Sequence, residues 1–369
     1  MKIALVHDYL SQDGGAEKVL KALHEIWPEA PIFVLFHDHQ KINYLDNEKI
    51  VESWLAKMPF INNIFQWYLP LMPMATEQHD LRGYDLVVSS TSSFAKGVIT
   101  SPNTLHLSYC HTPPRFLWGD GNNYLSDLKS NYFIKLILPL LNHRLRIWDQ
   151  MSTQRVDHFI ANSQTVQKRI KKYYRRDSDV IFPPVDTHRF QIADKLGDYY
   201  VAGGRLVPYK RLDLVVKVFN RLQLPLKIFG IGPELKYLKK IAKSNIEFYG
   251  KISENEKAVL FSRALAFIHP QKEDFGITPI EAMAAGRPVI AYGHGGATET
   301  VIPGETGLFF YQQTWESLFE SIINFDQHHW DSEKIRLHAQ NFSGDKFKNK
   351  IKSFADDCLS QFKNSLNSI

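Results

Sequence analysis

Short apolar runs alternate with stretches whose apolar residues recur every three or four positions, and this alternation occurs twice along the chain. Residues 3–6 read as a buried parallel strand. Gly14-Gly15 then leads into a helix with Val19, Leu20, Leu23 and Ile26 on one face. The same pattern predicts strands at 32–36, 85–89, 105–109, 158–161 and 180–182. Pro183-Pro184 follows, a stiff crossover because proline fixes φ and restricts the residue before it. Beyond it the pattern restarts, with strands at 199–202, 226–229, 246–249, 266–269 and 288–291. Helices begin near Leu212, Pro233, Glu254 and Thr278. Phe347, Ile351 and Phe354 stand at helical spacing, so the polar tail from Ser343 onward is expected to be a closing helix. Two doubly wound α/β domains are the fold class this organisation predicts, and 369 residues suit two domains of roughly 150 each.

Composition narrows the picture. The chain is 44% hydrophobic and 22% charged, ordinary for a globular protein, with a net charge of +5. That charge suits an anionic partner such as a nucleotide or a phospholipid surface, and is too weak to argue for nucleic acid. Two cysteines, Cys110 and Cys358, make neither a disulfide framework nor a zinc site, so a cytoplasmic setting is expected. The first apolar run stops at His7-Asp8, and residues 132–141 are broken by Lys135 and Pro139. Neither is long enough to cross a membrane.

Candidate chemistry concentrates at predicted strand ends, where an open parallel sheet places its ligand crevice. Gly14-Gly15 follows the first strand and lets the backbone approach a phosphate. Arg205 and Lys210 follow the first strand of the second half, as a planar fork and a point charge for phosphate oxygens. Gly230 and the turn Gly250-Lys251-Ile252 follow the next two strands. Glu273, Phe275, Gly276, Ile277 and Glu281 form a strand end, a glycine turn and the first turn of a helix. There Glu273 can reach sugar hydroxyls and Glu281 a ribose diol. His111 sits just beyond a strand of the first half. Asp13 and Glu17 are weaker acceptor-side candidates. Asp177-Ser178-Asp179 reads as a solvated turn. The pairs His37/His39 and His328/His329 lack a ligand spacing, and no metal site is expected.

Taken in order, these blocks resemble glycosyltransferase family 4: Gly14-Gly15-Ala16-Glu17, then Gly204-Arg205-x4-Lys210, then Glu273-x7-Glu281, then Gly295-Gly296 and Gly304-Glu305-Thr306-Gly307. The resemblance implies the GT-B fold, two Rossmann-like domains facing across a cleft. The expected division is an acceptor-side domain at 1–184, a donor-binding domain at 185–345, and a helix at 346–369 crossing back to the first. It implies transfer with retention and no catalytic metal. His111, Arg205, Lys210 and Glu273 are the catalytic set, and Arg205 and Lys210 hold the departing diphosphate. Gly14, Gly15, Gly230, Lys251, Ile252, Phe275, Gly276, Ile277 and Glu281 bind the donor. The 273–288 block looks most like bacterial mannosyltransferases that use GDP-mannose for surface polysaccharide. UDP-sugar enzymes share most of these residues, so a UDP-sugar stays open, as do a nucleotide-sugar epimerase and a non-catalytic sugar-nucleotide binder. The expected partners are a nucleotide-diphosphate sugar and a glycan or lipid-linked acceptor. Residues 54–69, rich in Trp, Phe and Ile, and the bases Lys168, Arg169, Lys171, Lys172, Arg175 and Arg176 suggest peripheral contact with the inner face of the plasma membrane. A buried hairpin and a solvated helix face are the alternatives for these two segments.

Overall fold

The computed structural model describes residues 1–45, 48–119, 132–326 and 329–367, with backbone alone at 132–137. His328 and the last two residues of the expected closing helix lie outside them. The chain forms two compact units, residues 1–183 with 347–369, and residues 184–346.

The first unit is built on a seven-stranded, all-parallel sheet. Its strands are β1 (Ile3–His7), β2 (Ile32–Val34), β3 (Ile50–Glu52), β4 (Leu86–Thr91), β5 (Leu105–Cys110), β6 (His158–Ala161) and β7 (Ser178–Val180). They lie in the order β3-β2-β1-β4-β5-β6-β7. The apolar runs are buried on both faces, which is why they read as continuous rather than alternating. The helix Gly15–Ile26 places Val19, Leu20 and Leu23 in the core. The closing helix, Gly344–Asn367, contributes Phe347, Ile351, Ala355 and Leu359 to that same core.

The second unit carries six parallel strands: β8 (Tyr200–Gly203), β9 (Leu226–Phe229), β10 (Ile246–Gly250), β11 (Phe267–His269), β12 (Val289–Tyr292) and β13 (Gly307–Phe310). Their order is β10-β9-β8-β11-β12-β13. Both sheets therefore reverse their winding once, at β1/β4 and at β8/β11. Both sheets are doubly wound, as the resemblance implies.

Several expectations need correction. Ser178 and Asp179 belong to β7 and pair with Phe159 and Ile160 of β6; the strand ends at Val180. An edge strand tolerates such polar residues because one side faces water. The strands β3 and β13 were not foreseen, being three and four residues long. Pro233 precedes its helix, which runs Leu235–Ile241.

Candidate active site

In the second unit, the chain leaves β8 through Gly203-Gly204 and is pinned by the loop after β9. Gly204 N–H donates to the Phe229 carbonyl (3.1 Å) and Leu206 N–H to that of Ile231 (2.9 Å). The two loops are so close that a Cβ at Gly230, whose φ is +112°, would stand 1.8 Å from the Gly204 carbonyl oxygen. Gly230 N–H in turn donates to the Gly250 carbonyl (2.6 Å). Three predicted glycine turns are thus one layer, and exposed Lys251 and half-buried Ile252 follow directly. The single turn Pro208–Lys210 brings the Lys210 ammonium back over Gly204, where a Cβ would meet it at 3.0 Å.

The loop after the neighbouring strand β11 supplies the partner. Lys210 Nζ lies 3.0 Å from Glu273 Oε1, both largely buried. Burial alone would raise the Glu273 carboxyl, but Lys210, His269 and a hydrogen bond from Gln271 bring it below the usual carboxylate range. The backbone of Glu273 is clamped by the turn at Gly295-Gly296. Gly296 N–H donates to the Glu273 carbonyl (2.9 Å), and a Cβ on either glycine would stand 2.3 Å from the 273–275 backbone. Phe275 is buried, and Gly276, at φ +92°, opens the helix Ile277–Ala284.

His269 was not foreseen. It is fully buried at the end of β11, and neither ring nitrogen has a hydrogen-bond partner among the described residues. Burial pushes it down to about 4, with Lys210 adding to the effect and Glu273 opposing it. It is therefore a neutral imidazole at neutral pH. A Cβ at Gly276 would stand 3.6 Å from its Nε2 and 3.5 Å from Glu273 Oε2, so both polar atoms border one recess that glycine leaves open. The signal in the sequence was a polar residue ending an otherwise apolar strand, Ala266-Phe267-Ile268-His269.

Glu281 sits in the second turn of its helix rather than the first, and it is buried. Lys257 of the helix Glu254–Ser262 reaches it at 2.9 Å. Burial alone would lower the Lys257 ammonium, but Glu281 and Glu254 hold it above its ordinary value. Helix-terminus preference therefore does not explain Glu281; an internal ion pair holds it. Arg205 is exposed, with no ion pair or hydrogen bond among the described residues.

The first unit has its own cluster at its switch point. Residues His7 and Ser90 are register partners across β1 and β4, and His111 follows β5. His7 Nδ1 is 3.1 Å from Ser90 Oγ, which is 2.8 Å from His111 Nε2. Glu17, buried, faces His7 Nε2 at 3.9 Å and accepts the Gly14 N–H at 3.0 Å, while Gly15 begins the helix. Asp8 accepts backbone N–H groups from Ser92, Ser93, Phe94 and Ala95, which fixes the loop after β4.

The aromatic segment divides. Leu55 and Ile61 are buried, but Phe60 and Trp67 are 74% and 66% exposed. Of the basic residues, Lys168, Lys171, Lys172 and Arg175 are exposed. Arg169 donates to Thr112 Oγ1, and Arg176 donates to the carbonyls of Thr153, Val156 and Asp157. Among the described residues, no helix is long and apolar enough to cross a membrane.

Comparison with known proteins bears on the family and the fold. A model described as Glycosyltransferase Family 4 matches residues 13–189, and one described as Glycosyl transferases group 1 matches residues 185–339. The O-antigen chain mannosyltransferase RfbU of Salmonella typhimurium is 31% identical over 44% of this chain and 49% of its own length. The alpha-1,3/1,6-mannosyltransferase alg2 of Schizosaccharomyces pombe is 22% identical over 83% of this chain and 70% of its own. The match thus spans about half of RfbU. Among solved structures, Anabaena HepE in complex with UDP superposes with a TM-score of 0.70, at 17% identity over 97% of this chain and 100% of its own. Sucrose-phosphate synthase from Thermosynechococcus elongatus gives 0.73, at 17% identity over 98% and 100%.

Proposed function

The chain belongs to glycosyltransferase family 4, and from that premise we propose that it moves mannose from GDP-mannose to a lipid-linked glycan, with retention and without a catalytic metal. The observation that carries this reading is the Lys210–Glu273 pair over Gly204, at the switch point of the second sheet. A diphosphate at the Gly203-Gly204 turn competes with Glu273 for the Lys210 ammonium. Lys210 and exposed Arg205 then neutralise the leaving group, and the released Glu273 carboxylate accepts hydrogen bonds from sugar hydroxyls. A phosphate oxygen takes the acceptor's proton on the same face. Glu281, paired with Lys257, accepts from the ribose diol. Gly230, Lys251 and Ile252 border the base, and Phe275, Gly276 and Ile277 hold the sugar side. His111, Gly14 and Gly15 serve from the first unit.

The mannosyltransferase relatives support mannose, and their part in O-antigen chains supports a surface glycan as acceptor. HepE, solved with UDP, is the reason a UDP-sugar is the second arm of the test. Phe60 and Trp67, exposed in the same unit as Lys168, Lys171 and Lys172, support an acceptor at an anionic lipid surface. Thermal-shift titration decides the donor, since a ligand of the native state raises its stability. GDP-mannose is expected to raise the melting temperature more than UDP-glucose, and the reverse order makes this a UDP-sugar enzyme. Lys210→Ala is expected to lower kcat about 10²- to 10³-fold with the fold intact. Full activity in that variant removes the phosphate role, and activity abolished by EDTA removes metal independence. Flotation with phosphatidylglycerol vesicles tests the membrane contact, which is expected to weaken with salt.

A further inference from the structure

The contacts at the switch point of the first sheet form one continuous chain: Glu17, His7, Ser90, His111. We propose that Glu17, acting through His7 and Ser90, locks His111 in the tautomer with its proton on Nε2. His111 then presents a bare Nδ1 lone pair that accepts from a ligand hydroxyl and repels an anionic oxygen.

Proton counting carries the argument. The Ser90 hydroxyl has one hydrogen and faces two ring nitrogens, so it donates to at most one and the other must itself carry a proton. The Glu17 carboxylate only accepts; its Oε2 takes the Gly14 N–H, and its Oε1 faces His7 Nε2 at 3.9 Å, beyond hydrogen-bond length. At that distance the carboxylate oxygen repels a lone pair and attracts an N–H, so it favours the tautomer of His7 with its proton on Nε2. In the neutral ring Nδ1 is then bare and takes the Ser90 hydrogen. Ser90 Oγ is left to accept, and the group it accepts from is His111 Nε2–H, at 2.8 Å. Asp8 does not enter the chain, since its carboxylate is occupied by the backbone of 92–95. His111 is held neutral by burial, which pushes it down to about 3, with the neighbouring His7 adding to the effect. Its Nδ1 has no partner among the described residues. The register of β1 with β4 and the position of His111 just after β5 build this line of groups. His7, Ser90 and Glu17 are positioning residues. The tautomer stands independently of function, while its use toward a sugar hydroxyl rests on the reading of His111 proposed above.

Long-range 1H–15N correlation on the full chain, labelled with 15N-histidine at pH 8, tests this directly. His111→Gln identifies the His111 signals. The wild type is expected to show an unprotonated Nδ1 and a protonated Nε2 at His111. In Glu17→Gln, the Gly14 N–H keeps the amide oxygen, so the amide NH2 faces His7 Nε2 and favours the reverse sense of the two Ser90 hydrogen bonds. His111 is then expected to carry its proton on Nδ1. In Glu17→Gln combined with Ser90→Ala, that response is expected to vanish. A wild-type His111 protonated on Nδ1, as a charged His7 would impose, overturns the proposal, and so does a Glu17→Gln spectrum with His111 unchanged. The wild-type spectrum decides even if a variant folds poorly. In kinetics, Glu17→Gln is expected to lower kcat about tenfold at unchanged donor KM. A wild type that turns over no nucleotide sugar fails the functional reading and leaves the spectra to judge the tautomer alone.

Discussion

At the scale of single residues, the donor-side cluster depends as much on absent side chains as on charged ones. Gly230 has φ +112° and lies against the Gly204 carbonyl, so it is excluded from being anything larger on two counts, backbone conformation and space. Gly230→Ala is expected to lower unfolding stability by about 2–4 kcal/mol, read from the denaturant midpoint, because both strain and overlap are introduced. The loop bearing Lys210 has to move in that variant, since Gly204 is the residue displaced. A midpoint within experimental error of the wild type would show that the two loops have room to separate. Glycines at such strand ends were legible as turns in the sequence. That Gly295-Gly296 clamps the backbone of Glu273 was not, because nothing local links residues over twenty positions apart.

Among the elements, the closing helix Gly344–Asn367 is the one whose place the chain order least predicts. Its apolar stripe was visible as Phe347, Ile351 and Phe354. Its partners are the strands and the helix Gly15–Ile26 of the first unit, although the segment immediately before it belongs to the second. Ile351 is buried in that core, and Ile351→Ala is expected to cost about 2–5 kcal/mol. The loss should be local. Hydrogen exchange followed by mass spectrometry is expected to show protection falling within 1–183 and unchanged within 184–346, and loss confined to the second unit contradicts the assignment of the helix. The strand β7 shows the opposite limit. Polar Ser178 and Asp179 were read as a turn because their own pattern is not apolar, and only pairing with β6 makes them a strand.

For the whole molecule, acid is expected to separate the two units. His79 and His106, buried, and half-buried His111 in the first unit, with buried His269 in the second, are pushed down by desolvation to about 4, 4, 3 and 4. An unfolded histidine takes up its proton near pH 6.5, and these do so only near 4 or below when folded. Below about pH 6.5 the unfolded state therefore binds more protons. The stability contributed by neutral burial is complete above that pH and is lost as the pH falls toward 4. With three such groups against one, lowering the pH from 7 to 5 is expected to reduce protection in the first unit more than in the second. Equal losses, read by segment-resolved hydrogen exchange, would count against this distribution.

The sequence alone determined the doubly wound α/β class, the family, the division near Pro183-Pro184 and the list of strand-end residues. These follow from local periodicity and from ordered motifs, which the chain carries whatever its final packing. The tertiary structure decided which of those residues meet. Lys210 pairs with Glu273, Glu281 with Lys257, and His111 with Ser90 and His7. It also revealed His269, a residue no motif marks. The reason is physical: hydrogen bonds and ion pairs depend on distances of about 3 Å. Such distances are set by strand order and register, which bring together residues that lie dozens of positions apart in the chain.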